Sequence, residues 1–282
     1  MNGAADAMGS GTSRQHSSDV GAPGRLWSVW WRVFVRELSD LWIGGKALYL
    51  IFGYAVYLGF KSWSQVRTSQ SNLIPPKEMV FATLQVVYYA GGLIGMIVGA
   101  DSISGERERG TLEALLLTPA HRVQFVLGKF LAALSPWPVM VLISVPFLHV
   151  LAQGNPVFGH SLYWGGLVGT LLVIGFTGVG MLVSLWSNSN RVSLFVSLGI
   201  YLVILLPTTW AGRAVRGDLA KTVQRLNPLE GANEMLEKIL VNNRSINSYE
   251  LWLRTSEVFA LAVVAVLFLY AASRLRVNAR QR

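Results

Sequence analysis

Few side chains in this 282-residue chain could do chemistry, and they are scattered. Four histidines stand at His16, His121, His149 and His160, and none has the H-E-x-x-H spacing that sets two imidazoles on one helix face around zinc. There is no cysteine, which excludes disulfides, thiol catalysis, iron–sulfur clusters and Cys-ligated zinc. No G-x-x-x-x-G-K-[ST] run occurs, so the chain has no P-loop with which to cradle ATP phosphates. Ionisable groups inside long apolar blocks are functional candidates, because a bilayer disfavours charge. His149 is one such group, but it lies close to the end of its block, where a neutral imidazole can reach interfacial water. Asp101 is the other residue on which a membrane-embedded enzyme would have to rely. No paired carboxylates within an apolar block suggest a proton relay. The expectation is a chain that is not an enzyme, with no catalytic residue and no metal site.

The more informative residues lie in ISGERERGTLEALLLTP, residues 103–119, which continues as AHRVQFVLGK to Lys129. Thr111 can cap a short helix over residues 112–117, with Glu113 in its first turn complementing the helix dipole. Thr118 can cap a second helix with Pro119 at its first position, where the missing N–H costs nothing. Residues 112–117 are too few to cross a membrane and too apolar to sit alone in water. Flanked by Glu106, Arg107, Glu108 and Arg109, they are built either as a docking element or as a solvated connector.

The elements that position this segment follow from composition. Apolar residues make up 52% and charged residues only 14%, against about 25% charged in a soluble domain. Apolar blocks of the length one helical crossing needs recur six times, over residues 41–60, 79–100, 130–152, 162–186, 192–211 and 252–273. The fold class expected is therefore an all-α integral membrane protein with six transmembrane helices in one domain, residues 25–282. Pro136, Pro138 and Pro146 predict a kink or break in the third block. Residues 1–24, rich in Gly, Ala and Ser, are expected to be a disordered tail. They lack the apolar core of a cleavable signal, so the first block is expected to serve as an uncleaved anchor.

After the tail, Trp27, Trp30, Trp31, Phe34, Leu38 and Leu41 recur at spacings of three and four, while Arg25, Arg32 and Arg36 fall elsewhere on the wheel. This pattern predicts an amphipathic helix in the headgroup region. Gly91, Gly95 and Gly99 form a ridge on the second block, and Gly165 and Gly169 form another on the fourth. Such ridges let helix backbones approach closely, either within the chain or across a dimer face. The net charge of +9 carries no long Lys/Arg run, which argues for basic membrane flanks and against nucleic acid. With six crossings, 14 Lys and Arg fall on the side of the termini and 10 on the other, a mild preference for cytoplasmic termini.

The run E-R-E-x-G-T-L-E-x-L-L-x-T-P followed by G-K resembles the signature of ABC transporter permeases of the type-2, exporter-like class. Its positions here are Glu106, Arg107, Glu108, Gly110, Thr111, Leu112, Glu113, Leu115, Leu116, Thr118, Pro119, Gly128 and Lys129. The likeness covers most of the chain, and NPLEGANEML at residues 227–236 is a weaker match to the class's N-P-x-x-x-x-x-E stretch. The 24-residue lead and the long basic loop at residues 212–255 depart from the pattern. The resemblance implies cytoplasmic termini in the cell membrane. It implies a coupling helix seated on a separate nucleotide-binding ATPase subunit, present in two copies and carrying the ATP and Mg, and a second permease subunit that is either identical or related. Spans nearly free of charge favour export of an amphiphilic, lipid-like or drug-like cargo. A membrane scaffold powering periplasmic work is the alternative.

Overall fold

The computed structural model describes residues 24–69, 75–110, 122–209, 226–242 and 250–274. The tail expected over residues 1–24, all but Gly24, and the short helix expected over residues 112–117 lie outside them. The described residues form helices and no strand: α1 Gly24–Ile43, α2 Lys46–Ser69, α3 Pro76–Glu108, α4 Arg122–Leu134, α5 Pro136–Ala152, α6 Val157–Trp186, α7 Asn190–Thr209, α8 Pro228–Leu240 and α9 Glu250–Arg274. Four stretches among them are long and apolar enough to cross a membrane: α3, α4 and α5 together, α6, and α7. The bent pair α1–α2 raises the number to five, and the apolar part of α9, Thr255–Tyr270, is shorter.

Local chemistry explains where the helices differ from the sequence blocks. The first block was expected to start at residue 41, but Gly45 adopts φ +79° and the chain bends by 55° there, so residues 41–43 finish α1 and α2 starts at Lys46. Such a φ is strained for any residue with a Cβ. The proline-rich block does break, at Ser135 immediately before Pro136, while Pro146 is accommodated inside α5. The Trp42 indole on α1 donates to Ser135 Oγ at this break, 3.0 Å away. α3 starts at Pro76, whose ring suits the first helical position. It runs 33 residues, about 50 Å at ~1.5 Å per residue, against a hydrocarbon layer about 30 Å thick. It ends at Arg109 and Gly110, whose φ of +72° stops the helix.

The centre of the bundle is the seam between α3 and α6. A Cβ on Gly99 would lie 2.5 Å from the Thr177 carbonyl oxygen, and one on Gly180 would run into the Met96 carbonyl oxygen. The two backbones therefore touch. Gly91 and Gly169 receive opposite sides of the Trp137 indole, whose N–H donates to Thr170 Oγ1 at 2.9 Å. Gly165 receives Leu84, and Gly175 and Gly178 on another face of α6 receive Phe259 and Val263 of α9. In the long loop read from sequence, α8 is an ordered amphipathic helix. Asn227 caps it by accepting from the Leu229 N–H at 3.0 Å, and Leu229, Ala232, Met235, Leu236 and Leu240 are buried. Asn233 on its other side bonds the hydroxyls of Tyr88 and Tyr89 and the Gln85 amide on α3.

Because the seam is backbone against backbone, even one methyl should disturb it. Gly180→Ala is expected to destabilise the detergent-solubilised protein by about 1–3 kcal/mol in thermal unfolding. Gly53→Ala, where a Cβ meets nothing within 4 Å, should unfold like the parent. Equal melting of all three proteins would remove the seam as the organising contact.

Candidate functional site

The charged residues near the end of α3, Asp101, Glu106, Arg107 and Glu108, each find a partner on another helix or at its end. Lys129, on α4, is the centre. Its side chain is 0% exposed, and its ammonium lies 2.8 Å from Glu37 Oε1 on α1 and 2.9 Å from Glu106 Oε1 on α3. It donates as well to the Ser102 carbonyl at 2.9 Å. An ammonium has three protons, and all three have acceptors. The preceding residue, Gly128, admits α1: a Cβ there would lie 3.0 Å from the Trp30 carbonyl oxygen and from Val33. Burial pushes the Glu37 carboxyl above the usual carboxylate range, the facing Lys129 charge and hydrogen bond pull it back, and Glu106 adds to the rise.

The same turns of α3 hold α2, α6 and α7. Lys46, in the first turn of α2, pairs with Asp101. The other oxygen of Asp101 accepts from the Asn190 amide at 2.7 Å, and Ser104 Oγ donates to Asn190 Oδ1 at 3.0 Å. The Asn190 backbone N–H, at the start of α7, donates to Glu108 at 3.2 Å, where a carboxylate complements the helix dipole. Arg107 donates to the carbonyls of Ser187 and Leu185 at the end of α6, and Ser184 Oγ accepts from the Ser104 N–H at 2.8 Å. A cavity of about 100 Å³ opens within the junction, lined in part by Glu37, Asp40, Lys46, Asp101, Glu106 and Lys129.

The residues singled out from sequence fall into distinct places. Glu106 and Arg107 turn inward to their own chain, and Glu108 holds the start of α7. Gly110 makes the turn that ends α3. Thr111, Leu112, Glu113, Leu115, Leu116, Thr118 and Pro119 lie outside the described residues. Trp27, Trp30, Trp31 and Phe34 are on α1, where Trp30 and Phe34 flank Trp31 at ring distances of 5.7 and 5.4 Å. Trp31 is 54% exposed, and Arg32 and Arg36 are exposed as well. The side that α1 turns to the bundle bears Val33 and Glu37, with Trp30 and Phe34 half-buried beside them. Gly91, Gly95, Gly99, Gly165 and Gly169 are all filled by residues of this same chain. Of the two candidates for embedded catalysis, His149 is exposed and packs its ring 5.0 Å from Phe158, and Asp101 is engaged by Lys46 and Asn190. Sequence reasoning did not find Glu37, Lys46 or Asn190. The signal available was a lone Glu in the basic turns of α1.

A family profile described as ABC-2 family transporter protein matches residues 27–277. No curated protein compared with the chain matches it.

Asn190 joins three groups of α3 at once, so its loss should leave Asp101 and Ser104 short of a partner. Asn190→Ala is expected to lower stability by roughly 1–3 kcal/mol in thermal unfolding of the purified chain. An unchanged melting temperature would mean that the Asn190 side chain is not needed to hold α7, whose other bonds to α3, such as Tyr201 to the Tyr89 carbonyl, remain.

Proposed function

The chain belongs to the ABC-2 family of transporter proteins, and we propose that it works as a six-span permease subunit driven by a separate P-loop ATPase. The single observation carrying this reading is the family match over residues 27–277, nearly the whole described chain. In the reading, α2, α3, α4 with α5, α6, α7 and α9 are the six spans, α1 lies in the headgroup layer, and both termini are cytoplasmic. The overhang of α3 supports placing the charged junction outside the hydrocarbon, at the end from which residues 111–121 continue. That segment is the contact with the ATPase, two copies of which serve two permease subunits. ATP binding draws the segments together, and the bundle responds because the ATPase binds its two conformations with different affinity. The cargo is amphiphilic and moves outward. The exposed surface of α7, with Val192, Phe195, Val196, Leu202, Val203 and Leu206, suits a lipid or a second subunit, and its one charge, Arg191, lies in the first turn.

The test begins with purification of the tagged chain from native membranes and identification of the P-loop ATPase that accompanies it. Leu116→Ala should then cut ATPase retention. A buried interface leucine is worth about 2 kcal/mol, roughly a thirty-fold loss of affinity. Arg14→Ala should change nothing. Glu108→Lys is the less clean variant, since it also removes the acceptor of the α7 N–H. Full retention with Leu116→Ala would reduce the segment to a connector.

Orientation is checked separately. The native chain has no cysteine, so single cysteines report cleanly. His160→Cys, exposed at the start of α6, should react with an impermeant maleimide in intact cells, and Ala114→Cys only after permeabilisation. The opposite result would reverse the topology.

A further inference from the structure

α2 and α5 touch at one level and part at another. Near the middle of α2, the Tyr54 hydroxyl donates to the Met140 carbonyl at 3.2 Å, and Leu58, one turn on, is fully buried. From Gly59 onward a groove of about 370 Å³ lies between the two helices, with Gly59, Ser62 and Trp63 of α2 on one side and Pro146 and Phe147 of α5 on the other. A Cβ on Gly59 would meet nothing within 4 Å, so the absent side chain itself leaves room there. Apart from Ser62 the lining is aliphatic and aromatic. Ser62 Oγ is buried and has no hydrogen-bond partner among the described residues. A serine inside a helix ordinarily bonds back to a carbonyl three or four residues earlier, as Ser104, Ser144 and Ser161 do.

A cation stands at one end of this groove. One turn beyond Trp63, the exposed Arg67 guanidinium lies over the indole, 4.2 Å from the ring centroid. Its depth follows from helix length. Lys46, paired with Asp101, marks the charged junction at the other end of α2. Arg67 stands 21 residues further along, about 32 Å at ~1.5 Å per residue, against a hydrocarbon layer about 30 Å thick. Arg67 therefore reaches the headgroups of the leaflet opposite the junction, and residues 59–66 lie among the acyl chains of that leaflet. Trp63, between the two, has the amphipathic ring that favours this boundary. An apolar groove at acyl depth under a guanidinium at headgroup depth matches the form of one lipid, and a guanidinium is the side chain best suited to a phosphate.

We propose that the groove between α2 and α5 binds one phospholipid of the leaflet opposite the charged junction. An acyl chain lies along Gly59, an ester carbonyl accepts from the Ser62 hydroxyl, and the phosphate sits on Arg67. The chain holds this lipid by itself, with no ATPase or nucleotide, so the inference goes beyond the permease reading and does not depend on it. In the test, the full-length chain is delipidated in detergent and titrated with phosphatidylglycerol, and bound lipids are counted by native mass spectrometry. The first phosphatidylglycerol should bind about tenfold more tightly than the next. Diacylglycerol with the same chains, which lacks the phosphate, should bind about tenfold more weakly than that first lipid. Gly59→Phe, which fills the groove, should weaken the first binding about tenfold. Arg67→Gln should weaken it about tenfold by removing a charged hydrogen bond, and Ser62→Ala roughly threefold. Gly53→Phe is the matched control, since a Cβ there also meets nothing within 4 Å but the residue does not line the groove, and it should bind like the parent. If Gly59→Phe does not fold, Arg67→Gln, at an exposed position, decides the matter. A parent that binds successive lipids with equal affinity, or variants that keep the first lipid, overturns the proposal. So does a parent dimer that Gly59→Phe dissolves, because the groove would then be filled by a second copy of the chain.

Discussion

In a bilayer, apolar side chains gain little by meeting one another in place of lipid tails, so helices stay together only where they pack closer than lipid can. α3 and α6 satisfy that condition by baring their backbones to each other at Gly99 and Gly180 and by sharing the Trp137 indole between Gly91 and Gly169. Several other helices are placed by reference to this pair. α5 contributes the indole, α9 fits its Phe259 and Val263 into the glycines on the other face of α6, and α7 lies against α3, its Tyr201 hydroxyl bonding the Tyr89 carbonyl at 2.6 Å.

A rigid pair carries its ends with it, and the polar groups are concentrated at those ends. Toward its start, α3 holds α8 through Gln85, Tyr88 and Tyr89 around Asn233. At its finish it gathers α2, α4, α6 and α7 through residues 101–108, and α1 by way of Lys129. Between these stations the α3 side of the seam is glycine and aliphatic. Charge on so long a helix can sit only where the helix has outrun the hydrocarbon, so its length fixes where the junction forms.

Much of the helical architecture was legible in sequence because bilayer length and helical rise leave little choice. The family signature was legible for a different reason, since its Glu, Gly, Thr and Pro follow one another at fixed local spacings. What each signature residue does was not legible. Gly128 and Lys129 stood out as a motif, but their meaning depends on Glu37 and Trp30, more than 90 residues earlier, and no local spacing announces that meeting. The glycine ridges were read on one helix at a time, so Gly95 and Gly99 were recognised without their reciprocal partner Gly180. α8 was missed for want of attention to period. Leu229, Ala232, Met235, Leu236 and Ile239 have helical spacing, but they sit in a loop whose basic charge drew the reading toward solvent. The aromatic stripe of α1 was legible from its spacing, and Trp30, Phe34, Leu38 and Leu41 are half-buried, but the ion pair that Glu37 makes from the same side was not.

The seam also dictates an order of manufacture. α3 ends at Glu108 and α6 at Trp186, so a ribosome adding roughly 5–20 residues each second finishes the second helix about 4–16 s after the first. Throughout that interval Gly95 and Gly99 lack their α6 partner, and Arg107 and Asp101 lack the carbonyls and the amide that later receive them. The nascent chain is most exposed to quality-control proteases in those seconds. Codon choice or pausing between residues 109 and 186 would therefore govern yield, while the same changes downstream of α6 would find the central pair already closed.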